Sequence, residues 1–134
     1  MCLLFIQLKM TAWNVTTAVY LQEISVSAKE IIPTGVFFKP DGLKMYTIGE
    51  AGDSVDEYDL STAWNVSTAV YLQEISVAAK ETSPRGIFFK PDGLKMYTVG
   101  SDGDSVDEYD LPEVGPITQV RMSGDGLNWM VFEQ

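Results

Sequence analysis

The chain has 134 residues, is 46% apolar and carries a formal charge of −10, the profile of one globular domain with a core rather than of a disordered chain. That acidity disfavours nucleic-acid phosphates and anionic membrane surfaces and suits cationic or neutral partners. There is no His, which excludes Ser-His-Asp and Cys-His catalysis and removes the commonest transition-metal ligand.

The chain opens with MCLLFIQLKM. This stretch is apolar but has no basic n-region, and CLLFI is too short for a signal-peptide core, so a buried strand is expected. Cys2 is the one cysteine; it can form no intrachain disulfide and leaves the compartment open. No apolar run approaches the roughly 20 residues of a spanning helix.

From Thr11 onward the sequence repeats itself. TAWNVTTAVYLQEISVSAKE (Thr11–Glu30) returns as TAWNVSTAVYLQEISVAAKE (Thr62–Glu81). GVFFKPDGLKMYTIG (Gly35–Gly49) returns as GIFFKPDGLKMYTVG (Gly86–Gly100), and GDSVDEYDL (Gly52–Leu60) returns at Gly103–Leu111. The period is 51 residues, without a gap, and residues 11–60 differ from 62–111 at nine of fifty positions. Periods of this size point to propeller blades or solenoid units.

Within one unit, three turn signals separate short runs rich in Val, Ile, Phe, Tyr and Thr, which read as strands. They are strand a (GVFF or GIFF), strand b (LKMYTIG or LKMYTVG), strand c (SVDEYDL) and strand d (VYLQEISV). KPDG between a and b suits a type I turn, with Pro40 or Pro91 setting φ and Gly42 or Gly93 in the left-handed position. The b–c turn is GEAGD or GSDGD, and STAWNVSTA joins c to d. Strands b and d carry apolar residues on both sides, as a sheet covered on both faces requires. No stretch has the spacing of a capped helix. The expected fold is all-β: propeller-type antiparallel four-stranded blades of 51-residue period, about 2.5 to 3 blades per chain in a partial ring.

These residues resemble a known family. FFKPDGLKMYTIGEAGDSVDEYDLSTA is similar to the YVTN-type β-propeller repeat and, closer still, to the DG-x-KMY…STAWNVSTA repeats of phage and bacterial propeller-like proteins. The resemblance covers about residues 11–111. It implies a fold rather than an activity, since propellers host many functions. It also implies a ligand face built from the d–a and b–c loops, and an extracellular, cell-surface or virion setting.

On this reading the chain is a single repeat domain. Residues 1–30 form a partial blade (strands c and d, with LLFIQLKMTAWNV aligned on SVDEYDLSTAWNV), 35–81 form the first blade and 86–111 supply strands a, b and c of the second. Residues 112–134 are a linker and a partial blade, VRMSGDGLNWMVF aligning with IFFKPDGLKMYTV. So few strands leave apolar faces and strand edges exposed. Three readings follow: closure of a ring with copies of itself, a fragment of a longer gene with further blades, or an open arc. The abrupt ends lean toward a fragment.

Four of the nine differences, Thr16/Ser67, Ser27/Ala78, Val36/Ile87 and Ile48/Val99, barely change volume. The other five are Ile31/Thr82, Ile32/Ser83, Thr34/Arg85, Glu50/Ser101 and Ala51/Asp102. All lie in d–a or b–c connections, which share one end of an antiparallel blade. These ten residues form the candidate ligand-binding face, set against the bland reading that loops tolerate change.

Other constellations are weaker. Asp102, Asp104 and Asp107 offer oxygens for Ca²⁺, but without EF-hand spacing, and Asp102 stands where the first copy has Ala51; a solvated turn is preferred and no cofactor is expected. No pair of carboxylates is singled out for hydrolysis. Trp13, Trp64 and Trp129 are expected to plug gaps between blades rather than stack sugars. The expectation is therefore a non-catalytic recognition or scaffold module for a protein or glycan. The alternatives are a purely structural piece of a larger propeller or surface protein and, behind it, a carboxylate-based hydrolase.

Overall fold

The KPDG turns close two hairpins of the same shape. In the first, Gly42 N–H donates to the Lys39 carbonyl at 2.8 Å and Lys39 N–H to the Lys44 carbonyl at 3.0 Å; the second repeats both bonds at Lys90, Gly93 and Lys95. Gly42 and Gly93 have φ of 74° and 76°, the left-handed region that an L side chain occupies at a cost of about 1–2 kcal/mol. A computed structural model describes residues 12–113, 117–122 and 129–133.

The described architecture is antiparallel β. Strands β1 (Pro33–Phe38), β2 (Lys44–Gly49), β3 (Ser54–Leu60) and β4 (Ala69–Ser76) form a four-stranded sheet in chain order. Strands β5 (Pro84–Phe89), β6 (Lys95–Gly100) and β7 (Val106–Asp110) form a three-stranded sheet, and β8 (Ile117–Met122) pairs with β9 (Trp129–Glu133). Two 3-10 turns, Val15–Thr17 and Val66–Thr68, are each capped by an Asn side chain, Asn14 and Asn65. There is no α-helix among the described residues, and no helix is long and apolar enough to cross a membrane.

Pairing registers repeat at the 51-residue period. Val36 faces Thr47 as Ile87 faces Thr98, and Thr47 faces Asp56 as Thr98 faces Asp107. Alternation along β2 sends Met45 to one face and Tyr46 and Ile48 to the other. Ile48 and Val55 join Val77, Phe89 and Met96 between the two larger sheets, flanked by Phe37, Tyr46, Ile87, Tyr109 and Leu111. On the far face, Met45, Tyr58, Leu60 and Ala69 are covered by Ile24 and Val26, with Phe38, Val66 and Tyr71 alongside. The middle of the four-stranded sheet is thus apolar and covered on both sides, while its outer strand β4 is mostly exposed. Each buried aliphatic side chain contributes about 1.5–3 kcal/mol, whereas exposed ion pairs such as Lys39–Asp41 are screened by solvent, so the interleaved core dominates.

Two sequence expectations need adjustment. Residues 18–25 have the sequence of β4 yet form no strand, because no described strand lies beside them to complete a ladder. The strand c expected over residues 3–9 lies outside the described residues. Trp64 does not plug a gap between sheets. It lies over the a–b turn of its own sheet, its backbone N–H donating to the Gly42 carbonyl at 2.9 Å and its ring 5.6 Å from Phe38, and it stays exposed. Trp13 is 100% exposed. The side chain of Trp129 lies outside the description.

Gly42 and Gly93 therefore differ in one respect. A methyl at Gly42 would run into the Trp64 indole, whereas nothing among the described residues lies within 4 Å of one at Gly93. Chemical denaturation of Gly93→Ala should show a loss of about 1–2 kcal/mol from φ alone, and Gly42→Ala a clearly larger loss. Equal losses would mean that Trp64 does not rest on the turn.

Candidate functional site

At the end opposite the KPDG turns, one buried carboxylate organises each unit. Val26–Glu30 and Val77–Glu81 form tight turns in which both the Lys and the Glu N–H groups donate to the Val carbonyl at 2.9 Å. The turn swings the Glu side chain inward. Glu30 then accepts from Ile32 N–H at 2.6 Å, Ala51 N–H at 3.1 Å and Gly52 N–H at 2.8 Å. Glu81 accepts from Ser83, Asp102 and Gly103 N–H groups at 2.8, 3.0 and 2.9 Å. Both glutamates are 1% exposed. Any side chain at Gly49 or Gly100 would collide with the carboxylate, so the strand must end in glycine there.

Three amide donors to one carboxylate favour its charged form. The Glu81 pKa is held below its ordinary value, first by the Gly103 N–H; burial opposes this, and the Ser83 and Asp102 N–H groups and the Arg85 charge assist. Asp56, in the middle of β3, behaves oppositely. Burial pushes its carboxyl up, Glu74 and Glu30 add repulsion, and the hydroxyls of Ser54 (3.1 Å) and Thr47 (3.4 Å) only partly compensate.

Eight of the ten sequence-selected residues lie in the loops around these two carboxylates, whereas Thr34 and Arg85, expected in the connections, fall within β1 and β5; the ten do different work. Ile31, Ile32 and Ala51 are exposed. Thr82 and Asp102 hydrogen-bond to each other across the second d–a loop and b–c turn. Ser83 and Ser101 are joined by the Ser101 N–H to Ser83 carbonyl bond at 3.2 Å, as Glu50 N–H is to the Ile32 carbonyl at 3.1 Å. Thr34 is half-buried at the seam between sheets, its hydroxyl donating to the Pro84 carbonyl at 2.7 Å, and Arg85 pairs with Glu50 across the same seam.

Sequence reasoning passed over Glu30 and Glu81. The signal was present: the Lys-Glu pair closing the d–a connection, and the glycines at 49, 52, 100 and 103, are unchanged between copies while the positions between them vary. Of the Ca²⁺ candidates, Asp102 is engaged by Thr82, and Asp107 accepts from the Ser105 hydroxyl at 3.2 Å. Among the described residues no three His, Cys, Asp or Glu side chains come together as a metal site would need.

The KPDG end has its own concavity, a groove of about 580 Å³ between the two sheets, lined by Phe37, Tyr46, Phe89 and the turns at Lys39–Asp41 and Lys90–Leu94. Its lysines are matched locally, Lys39 with Asp41 at 2.8 Å, Lys90 with Asp92 at 2.6 Å and Lys44 with Glu57 and Asp59. The groove therefore offers apolar surface and nearly balanced charge.

Because the folded-state pKa of Glu81 is depressed, its contribution to stability is full above the ordinary value of 4.5 and is lost as pH falls through the lower folded value. Glu81→Gln should remove part of this acid limb: unfolding curves against pH should show the variant less stable near neutrality and converging on the wild type in acid. An unchanged pH slope would mean the carboxylate is not the staple described.

No protein-family model and no curated protein matches the chain. Solved structures that resemble it include a functionally unknown protein from Desulfotomaculum acetoxidans, at 16% identity and a TM-score of 0.46 over 75% of this chain and 26% of that one. Hydrazine synthase from Kuenenia stuttgartiensis matches at 23% identity and 0.47 over 84% and 32%. A Bacteroides fragilis protein, provisionally described as a 6-phosphogluconolactonase, matches at 17% identity and 0.43 over 74% and 31%. The chain spans about a third or less of the length of each.

Proposed function

We propose that the chain is a non-catalytic recognition module of propeller type, its sheets acting as blades, which binds a protein or glycan through the end that carries the d–a and b–c loops. One observation supports this above the others: the loop backbones are fixed identically in both copies by Glu30 and Glu81, while the side chains that change between copies stand on that fixed frame. A preorganised backbone limits the ordering cost of binding, and varied tips supply the difference between neighbouring contacts. Two similar sites side by side favour weak, multivalent capture.

A second reading places the ligand in the groove at the KPDG end, whose concavity and apolar lining are those of a small-molecule site. The two are separable. Immobilised protein should be screened against glycan and surface-protein arrays, then retested as Ile31→Ala/Ile32→Ala and as Lys39→Ala/Lys90→Ala, with circular dichroism confirming the folded state. Removing the two exposed isoleucines should weaken capture by about tenfold, a loss of about 1.4 kcal/mol, with the lysine variant unaffected. The reverse pattern would move the site to the groove, and folded protein that captures nothing would favour a purely structural unit.

A further inference from the structure

Two identical segments of this chain meet different fates. Ala69–Ser76 is β4, paired along its length with β3; the same eight residues at Ala18–Ser25 have no strand partner among the described residues. Likewise Ser54–Leu60 is β3, between β2 and β4, whereas the same seven residues at Ser105–Leu111 contain β7, the edge of its sheet. Burial records the difference. Val55 is 4% exposed and Val106, its counterpart, 68%.

The segment is not adrift. Ile24 and Val26 pack on Met45, Tyr58 and Leu60, as Val77 packs on the core facing the second sheet. The Gln22 amide donates to Asn65 Oδ1 at 2.6 Å. Residues 18–25 therefore lie where the outer strand of a preceding sheet would lie, with Val19, Tyr20 and Leu21 exposed. Beside β7, a cleft of about 370 Å³ opens between Gln73, Glu74 and Ile75 of the first sheet and Phe89, Met96 and Leu111 near the second. Lys29 bridges Glu74 at 3.4 Å and covers the Tyr71 ring at 3.9 Å, while its counterpart Lys80 has no ion pair among the described residues.

We infer that β7 is a docking edge for a second copy of this chain, whose residues 18–25, expected from the sequence to pair with residues 3–9 of their own copy, add instead as the fourth strand of the three-stranded sheet. The register is already present within the molecule. Asp56–Glu74, Glu57–Gln73, Tyr58–Tyr71 and Asp59–Val70 translate to Asp107 with Glu23, Glu108 with Gln22, Tyr109 with Tyr20 and Asp110 with Val19. Gln22 then donates to Glu108 as Gln73 donates to Glu57 at 2.7 Å. Tyr20 meets Tyr109 edge-on as Tyr71 meets Tyr58 at 5.8 Å, and Lys80 gains Glu23. Each copy donates at one end and accepts at the other, a heterologous contact that continues until it closes. With two complete sheets per copy, a ring of 4–8 blades takes about two to four copies. The inference rests on strand register and is independent of where, or whether, the module captures a ligand.

Light scattering of the full chain across a concentration series should give multiples of the chain mass. In a Cys2→Ser background, chains carrying Gln22→Cys and chains carrying Glu108→Cys should cross-link on oxidation when mixed, and neither should when alone. Val19→Cys mixed with Glu108→Cys is out of register and should not. A monomer at every concentration overturns the inference, as does cross-linking that ignores register. If the cysteine variants fold poorly, the wild-type mass decides alone.

Discussion

A sheet with apolar side chains on both faces has to be covered on both, and this constraint governs the molecule. Met45 and Ile48, three residues apart on one strand, enter different cores. The next unit repeats half of this: Phe89 and Met96 pack toward the first sheet as Phe38 and Met45 pack toward Ile24 and Val26, whereas Val99, the counterpart of Ile48, is 42% exposed. Stacking is therefore a property of the unit rather than of the chain. Small alternations in side-chain direction carry it, since each strand reverses face at every residue.

Against that apolar background the buried acids separate by their surroundings. Glu81 sits among three amide donors and is held charged; Asp56 has two hydroxyls and two neighbouring carboxylates, and its charge is opposed. The first kind fixes loop backbone at the varied end. The second sits mid-sheet, where the charge is a cost that hydroxyl donors only reduce. An overall acidity that suggests only a solvated surface thus conceals carboxylates with structural duties inside.

Much of the strand layout was legible in the sequence, because the copies differ so little that turns and strands could be cross-checked. KPDG, the Val/Tyr-rich runs and the 51-residue period each named an element that the structure contains. Three things were less legible. Residues 18–25 carry the propensity and pattern of a strand but have no neighbour among the described residues, and a strand exists only as part of a ladder. Trp64 faces its own hairpin rather than the next sheet, because Gly42 has no side chain to hold the indole off the turn, which it buries beside Phe38. The glutamate staples were hidden by their constancy: attention to what varied found the loop tips, and the residues that hold those tips were by definition among those that did not vary.

The pair formed by Arg85 and Glu50 has a further consequence. Near-identical units could stack in either order, and the apolar cores would hardly register the exchange. Yet Arg85 belongs to the second unit and Glu50 to the first, and the counterparts of these residues, Thr34 and Ser101, could form no such pair. Two substitutions that look like unrelated drift in separate loops are thus complementary across one seam. They give a duplicated sequence a direction: which copy precedes which is written into the junction.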